Sequence, residues 1–148
     1  MFRPSTRARY ALRAMIELAL REGAGLISLR EIARAQRLSP KYLEQLAIPL
    51  HRAGLVQAER GPGGGYKLAK PAEQITAREI VEAVDAPLCL LDCLRTSEAC
   101  DQAGACAAQR LWSRVGQAVV SVLSETTLAD LREEQRAATA GVAPCYQI

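Results

Sequence analysis

The sequence predicts a mainly α fold with a small β ribbon, and three observations carry that expectation. Apolar residues recur at spacings of three and four through most of the chain, helix-start signals precede the periodic stretches, and two short extended runs flank the segment Gly61-Pro62-Gly63-Gly64-Gly65. At 148 residues, with 49% hydrophobic and 24% charged, the chain is long enough for a genuine core and sits near the globular average. No apolar run approaches the roughly 18 residues of a membrane span. The basic start from Met1 to Arg7 lacks the apolar stretch and cleavage site of a secretory signal, so a cytoplasmic protein with no membrane partner is expected.

From Thr6 to Arg21, residues Tyr10, Ala11, Ala14, Met15, Leu18 and Ala19 form one apolar helical face, stopped by Gly23 and Gly25. Ser28-Leu29-Arg30-Glu31 is a capping box with Ile27 and Ile32 as a hydrophobic staple, which predicts a second helix from Leu29 to near Arg37. Ser39 then serves as N-cap and Pro40 as the first residue of a third helix, whose period runs through Tyr42, Leu43, Leu46 and Leu50 until Gly54 closes it. Pro49 removes one donor and bends the last turn. The second and third helices are separated by roughly four residues, a helix-turn-helix connection. Leu55–Arg60 and Tyr66–Ala69 complete the pattern as a two-stranded ribbon, making a winged helix-turn-helix.

Beyond Lys70-Pro71, Thr76-Ala77-Arg78-Glu79 is a second capping box and starts a helix that runs to about Asp85. Residues 86–106 lack periodicity. From Ala107 to Ser124, residues Leu111, Trp112, Val115, Val119, Val122 and Leu123 line a helix about 27 Å long at about 1.5 Å per residue, suited to be a dimerisation strut. Packing within one chain is the competing use of that face. Thr127 caps a short last helix, and a loose tail follows Ala137. The expected organisation is a DNA-binding domain at 1–71, a connecting helix and cysteine-rich loop at 72–106, a dimerisation helix and last helix at 107–137, and a tail at 138–148.

Charge divides the chain in the same way. Residues 1–70 carry a balance of +8 and residues 71–148 one of −5, giving +3 overall. A cationic half is the electrostatic footprint of a nucleic-acid binder, although a solvated basic surface has the same composition. On the third helix Ser39, Lys41, Tyr42, Glu44 and Gln45 crowd the N-terminal turns, where a recognition helix meets base edges of double-stranded DNA. Gln reads adenine, Glu accepts from cytosine N4, and Lys or Ser holds phosphate. The glycine-rich tip fails as a dinucleotide or phosphate-loop fingerprint, because Tyr66 and Leu68 stand where glycine and Ser or Thr are needed. As a wing, Gly63 and Gly64 bring backbone close to the sugar-phosphate, and Arg60 enters a minor groove. An ordinary hairpin would use the same residues.

Five cysteines are present, four of them (Cys89, Cys93, Cys100 and Cys106) between residues 89 and 106, with Cys145 in the tail. In a cytoplasmic chain this favours metal, cluster or redox chemistry over structural disulfides. No convincing zinc knuckle is present, whereas an iron-sulfur cluster accepts the wider spacing Cys93-x6-Cys100-x5-Cys106. His51 has no nucleophile to pair with, and no positioned acid-base pair suggests an enzyme.

Tyr42-Leu43-Glu44-Gln45-Leu46, Gly54-Leu55-Val56, Arg60 through Tyr66 and the three-cysteine loop together resemble the Rrf2 family of bacterial regulators, nearest to its IscR-type members. Arg9-Tyr10-Ala11, Ala14-Met15 and Val84-Asp85 fit the same pattern, so the resemblance extends to about residue 135. It implies a homodimeric transcription factor whose iron-sulfur cluster, held by Cys93, Cys100 and Cys106, tunes DNA binding, with 2Fe-2S favoured over 4Fe-4S. IscR-type proteins place a histidine ligand three residues after the third cysteine, where this chain has Gln109. The nitric-oxide-sensing branch uses an N-terminal aspartate where this chain has Arg9. The fourth ligand is therefore open, with Glu44 as the leading candidate and Cys89, Asp92, Glu98 and Asp101 as others. A metal-free thiol switch and a zinc-bound protein adapter are the rival readings.

Overall fold

The computed structural model describes residues 4–85 and 105–141. Helix α1 (Thr6–Leu20) is capped by the Ser5 hydroxyl, which accepts from the Ala8 N–H at 2.9 Å and itself donates to the carboxylate of Asp85. Helix α2 (Leu29–Gln36) begins at the expected capping box, in which Ser28 and Glu31 satisfy each other's backbone N–H. It ends at Arg37 in the left-handed region, φ +53°, turning the chain sharply into α3 (Pro40–Arg52). One detail of that start differs from expectation. Ser39 occupies the N-cap position but its hydroxyl makes no capping bond; Pro40 at N1 supplies the helical φ and removes one orphan donor.

The ribbon consists of β1 (Val56–Glu59) and β2 (Gly65–Leu68), antiparallel with Val56 opposite Leu68 and Glu59 opposite Gly65. The strands are shorter than the sequence suggests, yet the sheet is wider. Ile27 adds a third rung by exchanging both backbone hydrogen bonds with Tyr66, at 2.9 and 2.8 Å. A 3-10 turn at Ala72–Gln74 leads to α4 (Ala77–Val84), started by the Thr76–Glu79 box. Cysteines 89, 93 and 100, together with Cys145, lie outside the described residues.

Helix α5 (Ala107–Glu125) contributes no buried residue, and exposes Leu111, Trp112, Val115 and Val122. Helix α6 (Leu128–Thr139) then returns to the body, running two residues past the expected start of the tail. Its entry is stitched by backbone bonds from Ala77 N–H to Thr126 and from Leu128 N–H to Ile75, 2.9 and 2.7 Å. Leu128 is fully buried, so one core runs through Met15, Ile32, Leu43, Leu46, Leu55, Ile75 and Ile80 into the last helix. Arg132 reinforces this joint with hydrogen bonds to Glu22 at 2.6 Å and Glu73 at 3.1 Å. Among the described residues no helix is long and apolar enough to cross a membrane.

Candidate nucleic-acid interface

The pose of α3 is set from α1. Arg21 donates to the buried carboxylate of Glu17 at 2.8 Å, and Gln36 at the end of α2 donates to its other oxygen at 2.9 Å. Arg13 donates in turn to the Gln36 side-chain oxygen at 3.0 Å and to its backbone carbonyl at 2.5 Å. Glu17 is a buried charge kept tolerable by these partners. Since three residues separate Gln36 from Pro40, clamping the end of α2 also fixes the start of α3.

Leu43, Leu46, Ala47 and Leu50 turn the apolar side of α3 into the core. Ser39, Lys41, Glu44 and Gln45 are exposed at its N-terminal end, with His51 and Arg52 exposed at the other. Tyr42 differs from these neighbours in being half-buried, its ring edge-on to Tyr10 with centroids 5.8 Å apart. Tyr10 in turn carries the guanidinium groups of Arg9 and Arg13 near its face, at 5.2 and 5.5 Å. This cationic cluster beside α3 is absent from the site expected from the sequence, although the four-residue spacing of Arg9 and Arg13 around Tyr10 was available as a signal. Exposed Arg30, Arg34 and Arg37 extend the positive surface along α2.

At the wing, Arg60 and Gly63 are exposed, and Gly64 is half-buried. A Cβ on Gly64 would overlap the Glu59 carbonyl oxygen and stand 2.9 Å from that of Gly61, so this glycine closes the tip. Gly65 is needed for a different contact: a Cβ there would stand 2.5 Å from the Ile27 carbonyl oxygen. Lys67 pairs across the ribbon with Glu59 at 3.6 Å, which leaves Arg60 as the cation at its outer end.

Of the three predicted cysteine ligands, Cys106 alone is described. It is a half-buried free thiol at the N-cap of α5, without a capping bond to the helix, so its sulfur is not committed to the helix start. Glu44 sits exposed on α3. Among the described residues no three His, Cys, Asp or Glu side chains gather as a metal site.

The profile of the Rrf2 family, described as an iron-dependent transcriptional regulator, matches residues 4–134. The chain belongs to the Rrf2 family. Within it, the regulator CymR of Bacillus subtilis is 43% identical over 127 residues, covering 86% of this chain and 87% of CymR. The regulator IscR of Cereibacter sphaeroides is 57% identical over 83 residues, about half of each protein. The solved structure of CymR, the global cysteine regulator of B. subtilis, matches with TM-score 0.75 at 40% identity, covering 90% of this chain and 98% of that one. The structure of T. potens IscR matches with TM-score 0.74 at 33% identity, covering 98% and 95%. These relatives are helix-turn-helix transcriptional regulators rather than enzymes. The protein is thus a winged-helix transcriptional regulator of the Rrf2 family.

Proposed function

We propose that this Rrf2 regulator binds a pseudo-palindromic duplex as a homodimer and that an iron-sulfur cluster at Cys93, Cys100 and Cys106 modulates the binding. The observation that carries the DNA reading is the outward face of α3, where Ser39, Lys41, Glu44 and Gln45 stand in solvent beside the cations of α1 and α2. Gln45 and Glu44 read base edges, and Lys41 and Ser39 hold phosphate. Arg60, with the glycine tip at Gly63 and Gly64, addresses the minor groove. Tyr42 positions the reading helix through Tyr10 and offers its hydroxyl to the backbone. The solvent-facing stripe of α5 joins the two copies, with 1–71 as the DNA-binding part and 72–106 as the sensing part.

Supporting the cluster are the cysteine spacing, the iron-dependent description of the family and the likeness to IscR proteins. When bound, such a cluster supplies an oxidation-sensitive change of charge at its thiolates. The chain's own residues couple that change to the DNA side. Asp85, within the sensing part and ahead of its cysteines, is held by Ser5 at the start of α1, and Cys106 is the N-cap of α5. Glu44 remains the proposed fourth ligand, which would tie the cluster's state to a base-reading side chain.

A thiol switch without metal is the second reading, favoured by the match to CymR and to a Staphylococcus aureus CymR solved in an oxidized form at 42% identity. Purification under argon with iron and acid-labile sulfide analysis separates the two. A coloured protein with both elements is expected, and a colourless one with only titratable thiols overturns the cluster. Serine at Cys93, Cys100 and Cys106 together is expected to abolish the difference in operator binding between air and argon.

A further inference from the structure

Ile48 is 60% exposed, and among the described residues 4–85 it is the only large apolar side chain left in solvent. Single exposed apolar residues are ordinary on protein surfaces, so exposure alone assigns nothing. Its position does. At 3.6 residues per turn it falls within about 60° of Lys41, Glu44, Gln45 and Arg52, in the middle of the polar stripe that α3 turns outward. The opposite side of the helix is fully used, since Leu43, Leu46, Ala47 and Leu50 are all buried, and Ile48 stays outside that packed side. The next residue, Pro49, has no N–H to offer the Gln45 carbonyl, so this turn lacks one of its helical bonds.

We infer that Ile48 is a specificity-determining residue that packs on the 5-methyl group of a thymine in the major groove. The inference rests on the proposed DNA-reading role of α3 and names one of the bases it selects. Among the groups displayed in the major groove, the thymine methyl is the apolar one, and aliphatic side chains discriminate it by contact. Gln45 and Glu44, one turn nearer the start of the helix, take polar edges, and Ile48 adds the apolar element the stripe otherwise lacks. A hydrophobic contact about the size of one methylene changes affinity about fourfold, and two symmetry-related half-sites compound it to about fifteenfold.

The test uses the full chain purified under argon. A preferred duplex is selected from a randomised library, and each thymine in it is replaced singly by deoxyuridine, which removes only the methyl. The wild type is expected to lose about fourfold at one position per half-site, next to the base pair whose identity Gln45→Ala relaxes. Ile48→Ala is expected to bind thymine and uracil equally at that position while keeping its preferences elsewhere. Its circular dichroism and melting are expected to match wild type, because the side chain is outside the core. A selected sequence with no methyl-sensitive position, or one whose sensitivity survives in Ile48→Ala, overturns the inference and leaves the DNA-reading proposal standing. Failure of the library to enrich any sequence overturns both.

Discussion

The four glycines of the wing share a composition but not a cause. Gly65 is required by Ile27, whose carbonyl oxygen occupies the space a Cβ would need, and this oxygen cannot withdraw without breaking its bond to Tyr66 N–H. Gly65→Ala is therefore expected to cost about 1–3 kcal/mol in urea unfolding, through forced backbone displacement rather than through DNA contact. Arg60→Ala acts oppositely: exposed and outside the core, it is expected to leave stability unchanged. Its effect is on binding, with the slope of log affinity against log salt becoming shallower by about one for each copy bound, about two for the proposed homodimer. The sequence showed that the tip needs glycine, but it could not assign each glycine a neighbour. Ile27 lies 38 positions from Gly65 and reads locally as half of a staple. Likewise, the sequence put Tyr42 both in the apolar period of its helix and among the DNA-reading residues, and only the fold shows it edge-on to Tyr10.

Elements were the most legible scale, because their ends are written locally. Three helices start with reciprocal caps, Ser28–Glu31, Thr76–Glu79 and Thr127–Asp130, and all three lie where the sequence places a helix start. The same caps make a pH prediction. Hydrogen bonds from the Ser28 side chain and then its backbone N–H hold the Glu31 carboxyl below its ordinary range, and Thr127 does the same for Asp130. For Glu79, burial opposes ionisation, yet Lys70 and the Thr76 backbone N–H together keep the carboxyl lowered. A carboxylate whose folded pKa lies below its unfolded value adds stability that is complete above the unfolded value and is lost as pH falls through the folded one. Unfolding free energy is thus expected to fall as pH drops below about 4.5, the ordinary glutamate value. Glu79→Gln is expected to flatten part of that decline in urea titrations at successive pH values. What local signals did not carry was the docking of α6, whose Leu128 joins a core shared with α1 although more than a hundred residues separate them.

At the scale of the molecule, the described single chain leaves one surface unaccounted for by its own packing. Helix α5 has a helical apolar period, yet Trp112, Val115 and Val122 remain 44%, 36% and 63% exposed. Its C-terminal end is tied down by Ala77 and Ile75 at the passage into α6. A stripe of this kind is stable in water when a second copy covers it, and two copies would set two recognition helices against one duplex. Val115→Glu with Val122→Glu would place charges in that stripe without removing any buried contact. The variant is expected to sediment at half the wild-type mass while keeping its secondary structure. Loss of the linkage between half-sites is then expected to weaken binding to a palindromic duplex by about 10²–10⁴-fold, with little change on an isolated half-site. If the mass stayed at its wild-type value, α5 would not be the joint, and the proposed coupling from Cys106 to the DNA side would have to run through α4 and α1 within one chain.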